Sequence, residues 1–396
     1  MTVTDIAGIW STGSNLVVPD EVGEPDPSAM QQLLAVQTGG ELVACGGGEW
    51  RKGEKDWIIQ HCIAVRKALK LPGFPPRWFV ALVNKLRRQR EPLLAEAEDR
   101  QATYLQYLLQ LVMALPFRWR AKARIKAGHL PPLKYAERAL EDHKRFKALK
   151  EQLGDKAAFM RGLPSPRAIK IFSGLLFGML KPFENEMKGQ VKQIFTANPR
   201  VVVQWEVPVE LCFGSLKVYP KWLKYIIFRR FMTLFERLIK AAPAGSHFAF
   251  HLCWGDLNNK PFMPAWLRSD DARVIFTNVI LRSKVWRHNG GDYELYGIHD
   301  PWGDGHNAAT EADLAMFEEM DVFPEGVIYA AGVLHPKLST EQIVDLIRLF
   351  AERYGVKVLR LALAAPCGDA RKPGDQVAVQ YMVALEALER LREHVV

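Results

Sequence analysis

Short apolar, β-rich runs alternate with helical stretches through most of this 396-residue chain. The runs are Ala157–Arg161, Val201–Val207, Phe248–Cys253, Arg273–Leu281, Gly326–Val333 and Val358–Ala364, with Gly8–Thr12 as an earlier one. Between them lie helical patterns at Trp222–Ala241, Glu311–Glu318, Thr340–Tyr354 and Asp375–Leu391. Strands that alternate with helices build βαβ units and a mostly parallel sheet. Seven or eight such strands favour closure into an α/β, (β/α)8 TIM barrel over an open sheet, as one domain spanning 1–396. Reactive residues of a barrel sit at the C-terminal ends of its strands.

Apolar residues make up 48% and charged residues 24% of the chain, which excludes a disordered or low-complexity class. Five cysteines in so long a chain do not make a secreted disulfide framework. The N-terminal stretch lacks the basic flank and apolar core of a signal peptide, and no apolar run reaches the ~18 residues of a membrane span. The expectation is a cytoplasmic protein without a transmembrane segment.

The net charge of +9 is localised. Pro76–Lys150 carries 17 Lys and Arg against 7 Asp and Glu, so the remainder is nearly neutral. This basic stretch reads as a helical insertion over 76–152, broken at Pro116 and at Gly128–Pro132. Its cations either face water or meet an anionic ligand or surface. No nucleic-acid-binding motif is present, so nucleic acid is not an expected partner.

The sharpest chemical signal is His251-Leu252-Cys253 at the end of an apolar run. On a strand, residues i and i+2 share a face, so imidazole and thiol converge. Both are natural zinc ligands. Cys367 follows the last strand in APCGDARK, and a barrel brings every strand end to one mouth. His251, Cys253 and Cys367 are therefore the candidate metal ligands. A buried cysteine beside a hydrogen-bonded histidine is the plainer reading of the first two. Asp256 is placed to orient His251 as a carboxylate behind the ligand, and Trp254, between them in sequence, is a candidate substrate contact. Glu206, on an apolar strand, is a candidate substrate-contacting and catalytic carboxylate. His299 and His335 follow runs near the expected mouth, His299 as a substrate contact and His335 as a proton-transfer group. Cys62 lies in a predicted helix and reads as core.

In their order these motifs resemble the catalytic barrel of cobalamin-independent methionine synthase and the wider superfamily it shares with uroporphyrinogen decarboxylase. Gly13-Ser14 is similar to the turn ending that family's first strand, and Gly162-Leu163-Pro164-Ser165-Pro166 to a later G-x-P-S-P element. Gln204-Trp205-Glu206-Val207-Pro208 resembles its Q-x-D-E-P strand. His251, Cys253 and the Pro366-Cys367-Gly368 region match its zinc motif. The resemblance implies a Zn²⁺ cofactor, a substrate contact from Gly13 and Ser14, and a folate or other alkyl donor as co-substrate. The family's glutamate ligand stands on the strand after HxC. With Arg273–Leu281 as that strand, Asn278 occupies its place, as a substrate contact. Either the zinc keeps three protein ligands, with water or substrate fourth, or another residue moves in, or the site holds no metal. The family's aspartate is Glu206 here and its next acid is Val207, so methionine synthesis itself is not expected.

The leading expectation is a zinc-dependent transferase, a methyl- or alkyltransferase, acting on a small-molecule thiol. A metal-dependent hydrolase or lyase on the same barrel is the alternative, and a non-enzymatic barrel that binds an anionic or lipid partner is a third.

Overall fold

Eight parallel strands pair in sequence order, and β8 returns to β1 to close the barrel. This computed structural model describes residues 5–11, 41–46, 57–71, 114–153, 156–175, 178–255, 263, 265–303, 307–367 and 374–393. The strands are β1 (Asp5–Ser11), β2 (Leu42–Gly46), β3 (Ala158–Pro164), β4 (Val202–Glu206), β5 (His247–His251), β6 (Glu294–Pro301), β7 (Ile328–Gly332) and β8 (Arg360–Ala364). The helices are α1 (Trp57–Ala68), α2 (Arg118–Lys126), α3 (Tyr135–Leu153), α4 (Pro166–Phe172), α5 (Leu180–Ala197), α6 (Pro208–Gly214), α7 (Lys221–Ile239), α8 (Asp271–Leu281), α9 (Thr340–Tyr354) and α10 (Gly374–Arg392). The expected TIM barrel is the observed fold, and among the described residues no helix is long and apolar enough to cross a membrane.

Residues divide between the barrel's two faces by the period of two. Trp10, Ala44, Met160, Val202, Ala249, Ile328, Ala330, Ala362 and Ala364 share the interior core. Outward-facing aromatics meet the helices: Trp205 and Phe250 pack on Phe235 of α7, and Phe248 on Phe195 of α5. Local chemistry fixes helix starts. Ser339 accepts from the Gln342 N–H while the Gln342 side chain accepts from the Ser339 N–H, a capping box that opens α9.

Two expectations are corrected. Arg273–Leu281 is not a strand but lies within α8. From Ala272 to Leu281 every residue is buried except Asn278, so the helix presents no polar face and its run shows no 3.6-residue period. The strand in question is β6, which contains His299 and Asp300, where they were expected to follow a strand. A salt-bridged cluster ties β6 and β7 to α8. Arg273 Nη1 donates to Asp300 Oδ1 at 3.0 Å, the Tyr329 hydroxyl to Asp300 Oδ2 at 3.0 Å, and Trp302 Nε1 to Tyr329 at 2.7 Å. All four residues are buried.

By contacts the chain forms two compact units, Met1–Lys55 with Lys134–Ser165 and Lys188–Val396, and Asp56–Leu133 with Pro166–Met187. The first contains the barrel. Within it α3 packs on β3 through a buried ion pair, Arg161 Nη1 to Asp142 Oδ2 at 2.5 Å. In the second, Arg66 Nη1 of α1 donates to the Ser173 carbonyl at 3.3 Å, and Arg124 Nε of α2 to the Ala68 carbonyl at 2.6 Å. Of the basic stretch 76–152, residues 76–113 lie outside the described residues, and α2 and α3 fall in different units.

Candidate metal centre

Neighbouring strands place three polar side chains in one row. Glu206 of β4 is in register with His251 of β5, and His251 with His299 of β6. Registered residues of a parallel sheet point the same way, here to the barrel interior, where Val202 lies four positions before Glu206 and Ala249 two before His251. β4 stops at this row because Pro208 has no N–H for the ladder and starts α6 instead.

Beyond His251 the Leu252 N–H still donates to the His299 carbonyl at 2.9 Å, and Cys253 follows. Cys367 arrives from β8, and a ligand atom from each of His251, Cys253 and Cys367 lies within 4.8 Å of the others. These are the three residues expected as ligands. Around zinc such atoms stand about 3.3–3.8 Å apart, so the three need draw in by roughly 1 Å. Gly332, at the end of β7, makes the approach of Cys367 possible. A Cβ there would lie 2.6 Å from Pro301 Cα and 3.1 Å from Pro366 Cα.

The electrostatics suit a neutral donor. Burial, with His299 adding to it, holds His251 well below the ordinary imidazole range, so the ring is uncharged. Its Nδ1 lies 3.2 Å from Glu206 Oε2 but out of hydrogen-bond alignment, and neither buried ring nitrogen makes a hydrogen bond. Buried imidazole nitrogens in that state suit a ligand. Glu206 is itself held: Trp10 Nε1 donates to Gln204 Oε1 at 3.2 Å, and Gln204 Nε2 to Glu206 Oε1 at 2.7 Å. Gly162 leaves room for this carboxylate, since a Cβ there would stand 3.0 Å from Oε1.

His299 meets His251 edge-on, ring centroids 4.3 Å apart, and its Nε2 contacts the Ala365 carbonyl at 2.7 Å. A carbonyl only accepts, so Nε2 carries the proton. Trp254 is buried, with the Arg268 guanidinium 5.0 Å over its ring. Cys212 donates to the Trp254 carbonyl, and burial, with Cys253 nearby, pushes its thiol up, so it remains protonated. His335 follows β7, but its Nδ1 accepts from the Lys337 N–H at 3.2 Å, and it is not part of the metal cluster.

Asn278 is corrected. It sits on α8, where its side chain donates to the Glu319 carbonyl and accepts from the Asp321 N–H, both at 2.8 Å, so it belongs to a helix–loop junction. The strand after HxC brings His299 to the row instead. Gly13, Ser14 and Asp256 lie outside the described residues. Glu206 stands beside His251, a relationship hidden in sequence because the two residues are on different strands. No protein-family model matches the sequence, and comparison with curated proteins finds none similar to it.

Proposed function

We propose that this barrel is a zinc-dependent transferase that moves a methyl or other alkyl group to a small-molecule thiol. One observation carries the reading: Cys367, distant in sequence, converges with His251 and Cys253 to within 4.8 Å at the C-terminal ends of their strands. Three protein donors of this kind hold zinc with a fourth position open to substrate, whereas structural sites use four. When bound, zinc supplies the positive charge that lets a thiol ionise at neutral pH. The motif order that resembles the methionine synthase barrel favours a thiol as the ligand at that position.

The chain's own residues then have distinct tasks. His251 stays neutral because it is buried, and is a donor at any pH near 7. With Nδ1 turned to Glu206, Nε2 is the nitrogen left for the metal. Glu206 thus orients a ligand, where the sequence suggested a carboxylate on the substrate. His335, at the same end of the barrel, is the group that would protonate the donor atom as the alkyl carbon leaves it for sulfur. The alkyl donor is a folate, another methylated donor or an epoxide.

Zinc-edge X-ray absorption tests the proposal. About one zinc per chain with two protein sulfurs is expected, rising to three sulfurs when the substrate thiol is added. Zinc should be lost in Cys253→Ser and Cys367→Ser and kept in Cys62→Ser. Protein that takes up no zinc overturns the metal reading. A zinc protein that hydrolyses substrates and never gains a sulfur from any thiol overturns the transfer reading in favour of a hydrolase.

A further inference from the structure

Residues 115–126 in the second compact unit read Leu-Pro-Phe-Arg-Trp-Arg-Ala-Lys-Ala-Arg-Ile-Lys. They form a 3-10 turn, Leu115–Phe117, that runs directly into α2. Ala114, Ala121 and Ile125 are buried and anchor this segment. Everything from Leu115 to Arg120 is exposed, Trp119 at 65% and Leu115 and Phe117 at 38% each. Globular surfaces seldom show three large apolar side chains within five residues.

The cations are placed around them. Trp119, Lys122 and Lys126 follow at i, i+3 and i+7 on the face away from Ala121 and Ile125. The Arg118 guanidinium lies 5.0 Å and the Lys122 ammonium 5.6 Å from the Trp119 ring centroid. Arg118, Arg120, Lys122 and Lys126 make no ion pair among the described residues. No acidic residue occurs between Asp99 and Glu137. The first turn of α2 therefore carries Arg118 and Arg120 and no acid, at the end of a helix where the backbone dipole favours anions. That arrangement costs stability unless an anion approaches.

We propose that Leu115–Lys126 is an interfacial anchor that docks the protein on an anionic lipid surface. The apolar tips of Leu115, Phe117 and Trp119 enter the headgroup boundary, and Arg118, Arg120, Lys122 and Lys126 meet the lipid phosphates and carboxylates. Two features favour lipid over nucleic acid. Leu115 offers nothing for a base to stack on, and Trp119 has both cations against its ring, where a base would need a bare face.

Vesicle flotation of the full-length protein tests this. Binding is expected to vesicles of phosphatidylcholine with phosphatidylserine and not to phosphatidylcholine alone, and it should weaken as salt rises from ~0.1 to ~1 M. Arg118→Glu with Arg120→Glu and Lys122→Glu should lower partitioning by about 100-fold or more. Trp119→Ala should lower it by roughly tenfold and leave the salt dependence. These side chains are exposed, so unchanged melting temperatures check that the variants fold. Absence of binding, equal binding to neutral vesicles, or triple-variant binding equal to that of the parent protein overturns the anchor. So does tight binding to a single-stranded oligonucleotide without binding to vesicles.

Discussion

The imidazole of His299 donates to the carbonyl of Ala365 at 2.7 Å, two residues before Cys367. It joins the β6 end of the polar row to the point where the chain leaves β8, so a residue outside the candidate ligand set ties down the approach of Cys367. His299→Ala should keep the zinc stoichiometry at high metal concentration and weaken affinity by about 10–100-fold. Competition with a chromophoric chelator measures it. Unchanged affinity would show that Cys367 is held by other means.

Glu206→Gln should reverse a hydrogen-bond polarity. Gln204 presents its NH₂ group to residue 206, so the new amide must answer with its oxygen and turn its own NH₂ to His251 Nδ1. The histidine then carries its proton on Nε2 and is a poor ligand. We expect at least tenfold weaker zinc binding with little change in melting temperature. Gly162→Ala should act the same way and more weakly, because its Cβ presses on the same carboxylate.

Asp300→Asn should destabilise the barrel by about 3 kcal/mol, because it leaves the buried Arg273 guanidinium without its counter-charge. A lowered midpoint in urea, with the slope unchanged, is the expected reading. A shift under about 0.5 kcal/mol would mean that Tyr329 and Trp302 hold the cluster by themselves.

Lys170 of α4 is buried, and burial, with Arg167 adding to it, lowers its pKa to about 8. In the unfolded chain the ammonium titrates near 10.5, so between about pH 8 and 10.5 the unfolded state binds more protons. This group's penalty is thus complete below pH 8 and vanishes as pH rises through 10.5. Lys170→Met should stabilise the protein at pH 7, on the order of 2 kcal/mol, and leave it unchanged near pH 11. Unfolding midpoints at the two pH values distinguish this from a uniform packing effect.

The barrel and the convergence of His251, Cys253 and Cys367 were legible for the same reason: each depends on a period. The i, i+2 spacing of His251 and Cys253 on an apolar run fixes a shared face, and Cys367 follows a strand that reads plainly as one. Helix α9 matched its expected bounds because polar and apolar residues alternate around it and Ser339 caps it. Legibility failed where burial removed the contrast. α8 is buried nearly all round, its Arg273 included, so it imitated a strand. β6 carries Glu294, His299 and Asp300 in a barrel strand, so it was passed over. That single exchange put Asn278 in the row and left His299 off its strand. The pairing of Glu206 with His251 needs the register of two strands, which no local pattern contains.

The indole of Trp10 gives the polar row a direction. Its N–H can only donate, so it binds the oxygen of Gln204, and the NH₂ of that amide can then face only an acceptor. Glu206 Oε1 is that acceptor, which leaves Oε2 beside His251, 3.2 Å from Nδ1. A tryptophan on β1, two side chains away from His251, thus sets which oxygen of Glu206 faces the imidazole, much as a one-way valve sets flow through every pipe downstream of it.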